Sequence, residues 1–278
     1  MERSFNVVAM NRGFLLKWTR DILRRYGVRP RRRLSQNFVV DPVLINEIVS
    51  YIDRDIDVTE VGCGIGTLTH AILTKARRVV CVEIDPKMCE IAREVVNRVE
   101  FITINADSLK TPFNTKIIVS NTPYHITSDL ITKISRENIV EKAVLTLQEE
   151  VVDRLVAKPG SRSYGRLTVL VSLLFNIQTG RSYSPHSFYP TPDVNSQVVV
   201  FTRKRTFDIE INAVEKTTRI LFTHKRKVID KILYNLLEGD RDLPSYLKNK
   251  VLGRRIYTIE PETWLEIARF LSERGFVK

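Results

Sequence analysis

The chain has 278 residues, 43% of them hydrophobic and 27% charged, and carries a formal net charge of +12. That is enough chain for one large domain and a small one, with the ordinary composition of a soluble globular protein. The charge is unevenly placed: residues 1 to 34 hold ten Lys/Arg against two Asp/Glu, residues 203 to 278 hold seventeen against eleven, and the middle is left at −2.

Basic ends around a near-neutral centre fit a polyanion gripped from outside while a less charged site does chemistry; a solvated basic surface without a partner is the plainer alternative. The cysteines Cys63, Cys81 and Cys89 are odd in number and lack C-x-x-C spacing. Neither a disulfide framework nor a zinc site is expected, and a reducing, cytoplasmic setting fits best. His70, His125, His186 and His224 are scattered, so no metal is expected. The longest apolar run, Leu167 to Ile177, is about half of what a membrane span needs, so no membrane segment is expected. The arginine-rich start faintly resembles an organellar transit peptide, a minor alternative to a basic arm that grips RNA.

In chain order, Leu15, Leu16, Ile22, Leu23 and Tyr26 recur at helical spacing ahead of the basic run Arg29 to Arg33. After Leu34-Ser35-Gln36-Asn37-Phe38-Val39, Asp41-Pro42 reads as an N-cap and first-turn proline opening a helix through about Ile52. Asp57 to Val61 is a strand and Gly62-Cys63-Gly64-Ile65-Gly66 the turn after it, with Thr67 starting a helix. The glycines let backbone approach a ligand closely. The pattern is G-x-G-x-G behind an acid, Glu60, which suits a cationic or zwitterionic ligand better than a pyrophosphate.

The next strand, Arg78 to Ile84, brings Glu83 to its end, where a nucleoside-binding sheet places the acid that accepts from ribose hydroxyls; a contribution to the helix cap before Pro86 is the alternative. Helix 86 to 97 leads to a strand, Glu100 to Ile104, followed by Asp107 and Ser108, where an Asp can accept from an adenine amine or simply make a turn. The run Lys116 to Ser120 then breaks at Asn121-Thr122-Pro123-Tyr124-His125. The Asn side-chain oxygen and the proline carbonyl can both accept from one exocyclic amine, and Tyr124 offers a face for stacking. A strand-to-helix turn with a core tyrosine is the alternative.

Helix 127 to 135, strand Lys142 to Leu147, helices Gln148 to Ala157 and Leu167 to Phe175, and strands near Gln178 to Tyr183 and Gln197 to Thr202 follow. Such alternation implies a mostly parallel sheet covered on both faces. Between the last strands, Pro190 and Pro192 hold Ser187 to Ser196 extended, so that Phe188 forms a second wall opposite Tyr124 or else joins the core. Beyond residue 205 the pattern turns helical, at Asn212 to Phe222, Lys225 to Leu237 and Pro261 to Leu271, with the basic Lys225-Arg226-Lys227 suited to phosphate or to a solvated face.

Taken in this order, Gln36-Asn37-Phe38, Glu60-x-Gly62-x-Gly64, Glu83-Ile84-Asp85, Asp107, Asn121-x-Pro123-Tyr124, the segment Leu147 to Leu167, Phe188-x-Pro190-x-Pro192-x-Val194-x-Ser196 and Lys225 to Lys227 resemble the rRNA adenine N6,N6-dimethyltransferase family. The resemblance implies an α/β fold, a Rossmann-like class I methyltransferase sheet over residues 35–204, with a basic N-terminal arm, 1–34, and a small all-helical RNA-binding domain, 205–278. It implies S-adenosylmethionine as cofactor and, as partners, small-subunit rRNA and the pre-ribosomal small-subunit particle. Nothing suggests an obligate dimer, and a monomer is expected.

By the same resemblance, Gln36, Asn37, Val39, Glu60, Gly62, Gly64, Glu83, Ile84, Asp107, Ser108 and Asn121 bind the cofactor. Asn121 and Pro123 hold the target amine, Tyr124 and Phe188 sandwich the base, and Arg31, Arg32, Arg33, Lys225, Arg226 and Lys227 contact RNA. The family usually has Leu or Ile at the position of Thr122, often Pro at that of Cys63, and seldom His at that of 125, which implies altered tuning. A non-catalytic nucleic-acid-binding factor on the same scaffold is the alternative, and the intact Glu83, Asp107 and Asn121 argue against it.

Overall fold

The structure, a computed structural model, describes residues 10–237 and 243–277. The chain divides into two compact units. One groups the chain up to Val152 with Ile177–Thr202; the other groups Asp153–Asn176 with Arg203 onward. The boundary read at residue 204 lies beside the second crossover, whereas residues 153–176, read with the sheet, pack with the helical tail.

The first unit opens with helix α1 (Arg12–Arg25), capped by the Asn11 side chain, which accepts from the Phe14 N–H. Its Leu15, Thr19 and Leu23 are buried, which leaves Lys17, Arg20, Arg24 and Arg25 outside. Strand β1 (Phe38–Val39) follows, then α2 (Pro42–Ser50), whose Asp41 cap accepts from Val43 N–H at 2.9 Å. The alternation continues through β2 (Asp57–Val61), α3 (Thr67–Ile72), β3 (Arg78–Glu83), α4 (Pro86–Val96), β4 (Phe101–Asn105), β5 (Ile117–Asn121), α5 (Thr127–Arg136), β6 (Lys142–Gln148) and α6 (Glu149–Leu155). After α7 (Arg166–Leu174), which belongs to the second unit, come β7 (Phe175–Tyr183), β8 (Phe188–Tyr189) and β9 (Ser196–Arg203). Phe175, read as the end of a helix, starts β7 instead, since its backbone has already turned extended.

Seven strands form one sheet in the order β4-β3-β2-β5-β6-β9-β7. The pairs from β4 through β6 are parallel, and β9 runs antiparallel to β6 with Ser196 opposite Gln148. Strand order reverses between β2 and β5, so the crevice beyond their carboxyl ends is the place where such sheets bind ligands. β1 and β8 form a separate ribbon pairing Phe38 with Tyr189 and Val39 with Phe188. The unit's core takes Leu44, Ile45 and Ile48 from α2 and Val58, Val79 and Val119 from the sheet. These apolar runs are buried on both faces, which is why they read as continuous rather than alternating.

The second unit adds α8 (Ile209–Leu221), α9 (Ile229–Leu236), α10 (Ser245–Val251) and α11 (Pro261–Glu273). Trp264 is fully buried with its ring 5.3 Å from that of Phe222 and tilted to it, and Phe222 in turn lies 6.1 Å from Tyr164. The helix read from Lys225 begins only at Ile229, because the backbone N–H groups of Ile256 and Tyr257 donate to the Lys227 and Lys225 carbonyls and hold that run as a turn. The start of α8 lies earlier than read, at the Asp208 cap, which accepts from Ile211 N–H at 2.9 Å. Among the described residues, no helix is long and apolar enough to cross a membrane.

Candidate active site

A cleft of about 860 Å³, counting space open to solvent, lies at the carboxyl edge of β2, β3 and β5 and under the segment that leads into β1. Gln36, Asn37, Val39, Glu60, Gly62, Gly64, Glu83, Ile84, Asp107, Ser108 and Asn121 all line it, so the fold brings together every residue read as cofactor-binding.

The floor is the turn after β2. Gly62, Gly64 and Gly66 have φ of +76°, +55° and +84°, a region that side chains rarely adopt. At Gly62 an added Cβ would still be 3.8 Å from Pro123 and 4.0 Å from the Glu83 carboxylate, which leaves backbone open to a ligand. At Gly64 it would press to 2.8 Å from the Phe38 ring, so this glycine lets β1 close down on the turn.

The acids differ in state. Glu83, buried at the end of β3, accepts from Asp85 N–H at 2.9 Å through Oε1 and from Gly64 N–H at 3.1 Å through Oε2. Burial raises its pKa, and those two N–H groups oppose the rise. Each oxygen keeps a lone pair for a hydroxyl donor. Glu60 is pushed up to about 8 by burial, against a hydrogen bond donated by Thr69 Oγ1 at 2.6 Å and with the Glu83 charge adding to the rise. Asp107 accepts from Leu109 N–H at 2.9 Å and pairs with Lys110 at 3.6 Å. Thr67, buried in the lining, has an Oγ1 with no hydrogen-bond partner among the described residues. Carboxylates at two adjacent strand ends, glycine-turn backbone lining the cleft and an unpartnered hydroxyl fit a cationic nucleoside cofactor such as S-adenosylmethionine.

Asn121, the last residue of β5, donates from Nδ2 to the Asn37 carbonyl at 2.7 Å. That bond uses one of the two N–H groups and fixes which way the amide points, leaving Oδ1 as its acceptor for a ligand. Pro123 also lines the cleft; its carbonyl accepts from Ile126 N–H at 3.1 Å and keeps a second lone pair. Tyr124 stands just outside the cleft lining, half-buried, its hydroxyl 2.8 Å from Ser196 Oγ. Burial raises the Tyr124 pKa against that hydrogen bond, so the phenol stays neutral. Phe188 departs from the second wall read for it. It is 2% exposed, paired with Val39 across the β1–β8 ribbon and packed in the main core, because the ribbon turns its ring inward.

Several participants escaped sequence reading. Cys63 and Cys81 form a disulfide with Cα atoms 6.0 Å apart, which corrects the expectation of none; Cys89 is a buried thiol. The pairing of β2 with β3, continued by Gly62 N–H to the Val82 carbonyl, holds the turn against β3, and spacing along the chain gives no sign of that neighbour. Thr122 buries its side chain, and its Oγ1 has no partner among the described residues. Exposed His125 is hydrogen-bonded through Nδ1 to Ser35 Oγ at 3.2 Å.

Of the basic residues, Arg31 is paired with Asp85 at 3.4 Å, while Arg32 and Arg33 are exposed in a short 3-10 turn. In the second unit, Arg226 and Lys227 are exposed, and Lys225 donates to the Arg162 carbonyl at 2.8 Å. Partial burial, then the charges of Arg226 and Arg154, lower the Lys225 pKa.

Comparison with known proteins agrees with this geometry. The family model described as ribosomal RNA adenine dimethylase matches residues 27–273. A probable ribosomal RNA small subunit methyltransferase A of Methanopyrus kandleri is 36% identical over 259 residues, which covers 88% of this chain and 93% of the relative. Among solved structures, a dimethyladenosine transferase from Plasmodium falciparum has a TM-score of 0.75 at 25% identity, covering 86% of this chain and 98% of its own. The 23S rRNA methyltransferase ErmE has a TM-score of 0.66, also at 25% identity, covering 85% of this chain and 100% of its own. With nearly its whole length matched, the chain belongs to the ribosomal RNA adenine dimethylase family.

Proposed function

We propose that this protein transfers methyl groups from S-adenosylmethionine to N6 of two adjacent adenines near the 3′ end of small-subunit rRNA, within a precursor of the small ribosomal subunit. The observation that supports it best is the commitment of Asn121 Nδ2 to the Asn37 carbonyl, which fixes the amide with its acceptor free. The small-subunit rather than large-subunit assignment follows the curated relative, whose name specifies the small subunit.

The cofactor, when bound, supplies an activated methyl group. Glu83 and Asp107 accept from its ribose and adenine, and the backbone at Gly62 admits it closely. The residues on the target side act on a weak nucleophile, because the N6 lone pair of adenine is delocalised into the ring. Asn121 Oδ1 and the Pro123 carbonyl accept from the two N–H groups of the amine and favour a pyramidal nitrogen. No strong base is needed, since that nitrogen becomes acidic only as the methyl leaves sulfur for it, and its surplus proton can then pass to water. Positioning supplies most of the effect. The target must leave its stack at a cost of a few kcal/mol, and stacking on Tyr124 returns about 1 to 3 kcal/mol. The basic residues Arg32, Arg33, Arg226 and Lys227 are exposed for phosphate contacts.

The test is incubation of small-subunit particles lacking the modification with labelled S-adenosylmethionine, followed by nucleoside analysis, with Asn121→Ala alongside. Dimethyladenosine with the wild type alone supports the reading. Particles that bind the wild type and gain no label refute it, and favour a non-catalytic assembly factor.

A further inference from the structure

We propose that Asp85 is a positioning residue for methyl transfer: one oxygen of its carboxylate latches the lip formed by residues 31–38 over the cofactor cleft. The inference rests on the functional reading above.

Asp85 is an N-cap followed by Pro86, and as a cap it needs one oxygen. Oδ1 serves that purpose, accepting from Lys87 N–H at 3.1 Å. Oδ2 faces elsewhere. It accepts from Gln36 Nε2 at 2.9 Å and pairs with the Arg31 guanidinium at 3.4 Å, while the Asp85 side chain is only 2% exposed. Gln36 closes the loop by accepting through Oε1 from the Arg31 backbone N–H at 2.8 Å. The lip is thus pinned at its centre by a charge-assisted hydrogen bond, the strong kind, in a place largely shielded from water.

The lip matters because its far end reaches the target side. Asn37, next to Gln36, provides the carbonyl that holds Asn121. Asp85 also works on the opposite wall, through its backbone N–H to Glu83 Oε1 at 2.9 Å. A simple cap would explain Oδ1 and nothing about Oδ2. Gln36, read from sequence as a cofactor ligand, bonds within the protein through both its nitrogen and its oxygen, so holding the lip is part of its contribution to binding.

Asp85→Asn separates the two duties. The amide keeps an oxygen for Lys87 and offers Gln36 a nitrogen, which cannot accept. Gln36 can answer only by turning its own nitrogen onto the Arg31 N–H. The double variant Gln36→Glu with Asp85→Asn reverses donor and acceptor: Asn donates to Glu, whose second oxygen still accepts from Arg31. Gln36→Glu alone sets two carboxylates against each other.

The measurement is the affinity for S-adenosylmethionine by calorimetry, with thermal unfolding of each variant as a control on folding. Either single change is expected to weaken binding roughly tenfold, from the loss of a hydrogen bond to a charged group. The double variant should return to within about threefold of wild type, and kcat at saturating cofactor should fall and recover in parallel. Wild-type binding that neither single change weakens overturns the latch and leaves the cofactor reading standing. Single losses without recovery in a folded double variant also overturn the latch. A wild type that binds no cofactor overturns the functional reading and the latch with it.

Discussion

Asn121 and Asn37 are joined by a 2.7 Å hydrogen bond in which the side chain donates and the backbone accepts. Asn121→Asp tests this directly, because the carboxylate keeps an acceptor for the target amine and loses the donor for Asn37. Two oxygens would then face each other, and the side chain would turn away. We expect Asn121→Asp to reduce kcat about 100-fold, as severely as Asn121→Ala, since small misplacements cost that much. RNA binding, measured by filter retention, should change little in either variant.

Tyr124 divides into a ring and a hydroxyl. The hydroxyl meets Ser196 Oγ at 2.8 Å at the start of β9. Tyr124→Phe keeps the stacking face and loses one hydrogen bond, worth about 1 kcal/mol. Ser196→Ala should match it, each lowering kcat/KM about fivefold, whereas Tyr124→Ala should cost more than tenfold further. Equal damage from Phe and Ala would show that the ring does not stack on the target.

Glu60 sets a pH dependence of stability. Its pKa rises from the ordinary 4.5 to about 8 in the folded protein, chiefly through burial. Between those values the unfolded chain has released a proton that the native state retains, so stability falls as pH rises through that window and levels off above it. Glu60→Gln keeps an acceptor for Thr69 and removes the titration. Its Tm relative to wild type should be higher at pH 9 than at pH 5, by a difference on the order of 1–4 kcal/mol in stability. A pH-independent difference would mean that Glu60 is ionised in the native state throughout.

The basic residues are not equivalent. Exposed Arg32, Arg33, Arg226 and Lys227 are available to phosphates, whereas Lys225 donates to the Arg162 carbonyl. Each exposed residue changed to Ala should lower the salt slope of RNA affinity by about 1, measured by titration over a range of salt. Lys225→Ala should leave the slope nearly unchanged and lower Tm.

Much of this arrangement was legible in the sequence because its signals are local. The glycine turn, the cap at Asp41, and acids at successive strand ends each declare themselves within a few residues, and parallel sheets bring strand ends together by construction. What escaped depends on contacts across the fold. Cys63 and Cys81 are 18 residues apart and become neighbours only through the pairing of β2 with β3. Phe188 sits in an aromatic, proline-rich segment that suits a base wall or a core equally, and only the ribbon with β1 decides its direction. The engagement of Gln36 with Asp85 joins residues 49 positions apart.

The reversed direction of β9 has a wider consequence. The parallel strands deliver their endings to the ligand-facing edge, but a strand running the other way delivers its beginning, which is how Ser196 arrives opposite the end of β6 and beside Tyr124. Two chain segments of opposite polarity therefore converge there, one leaving β5 and one entering β9. The stretch from Pro190 to Asn195, which joins the second of them to the ribbon, contributes no residue to the cleft lining, so the chemistry at the approach to β9 is set apart from that of the β2 and β3 edge.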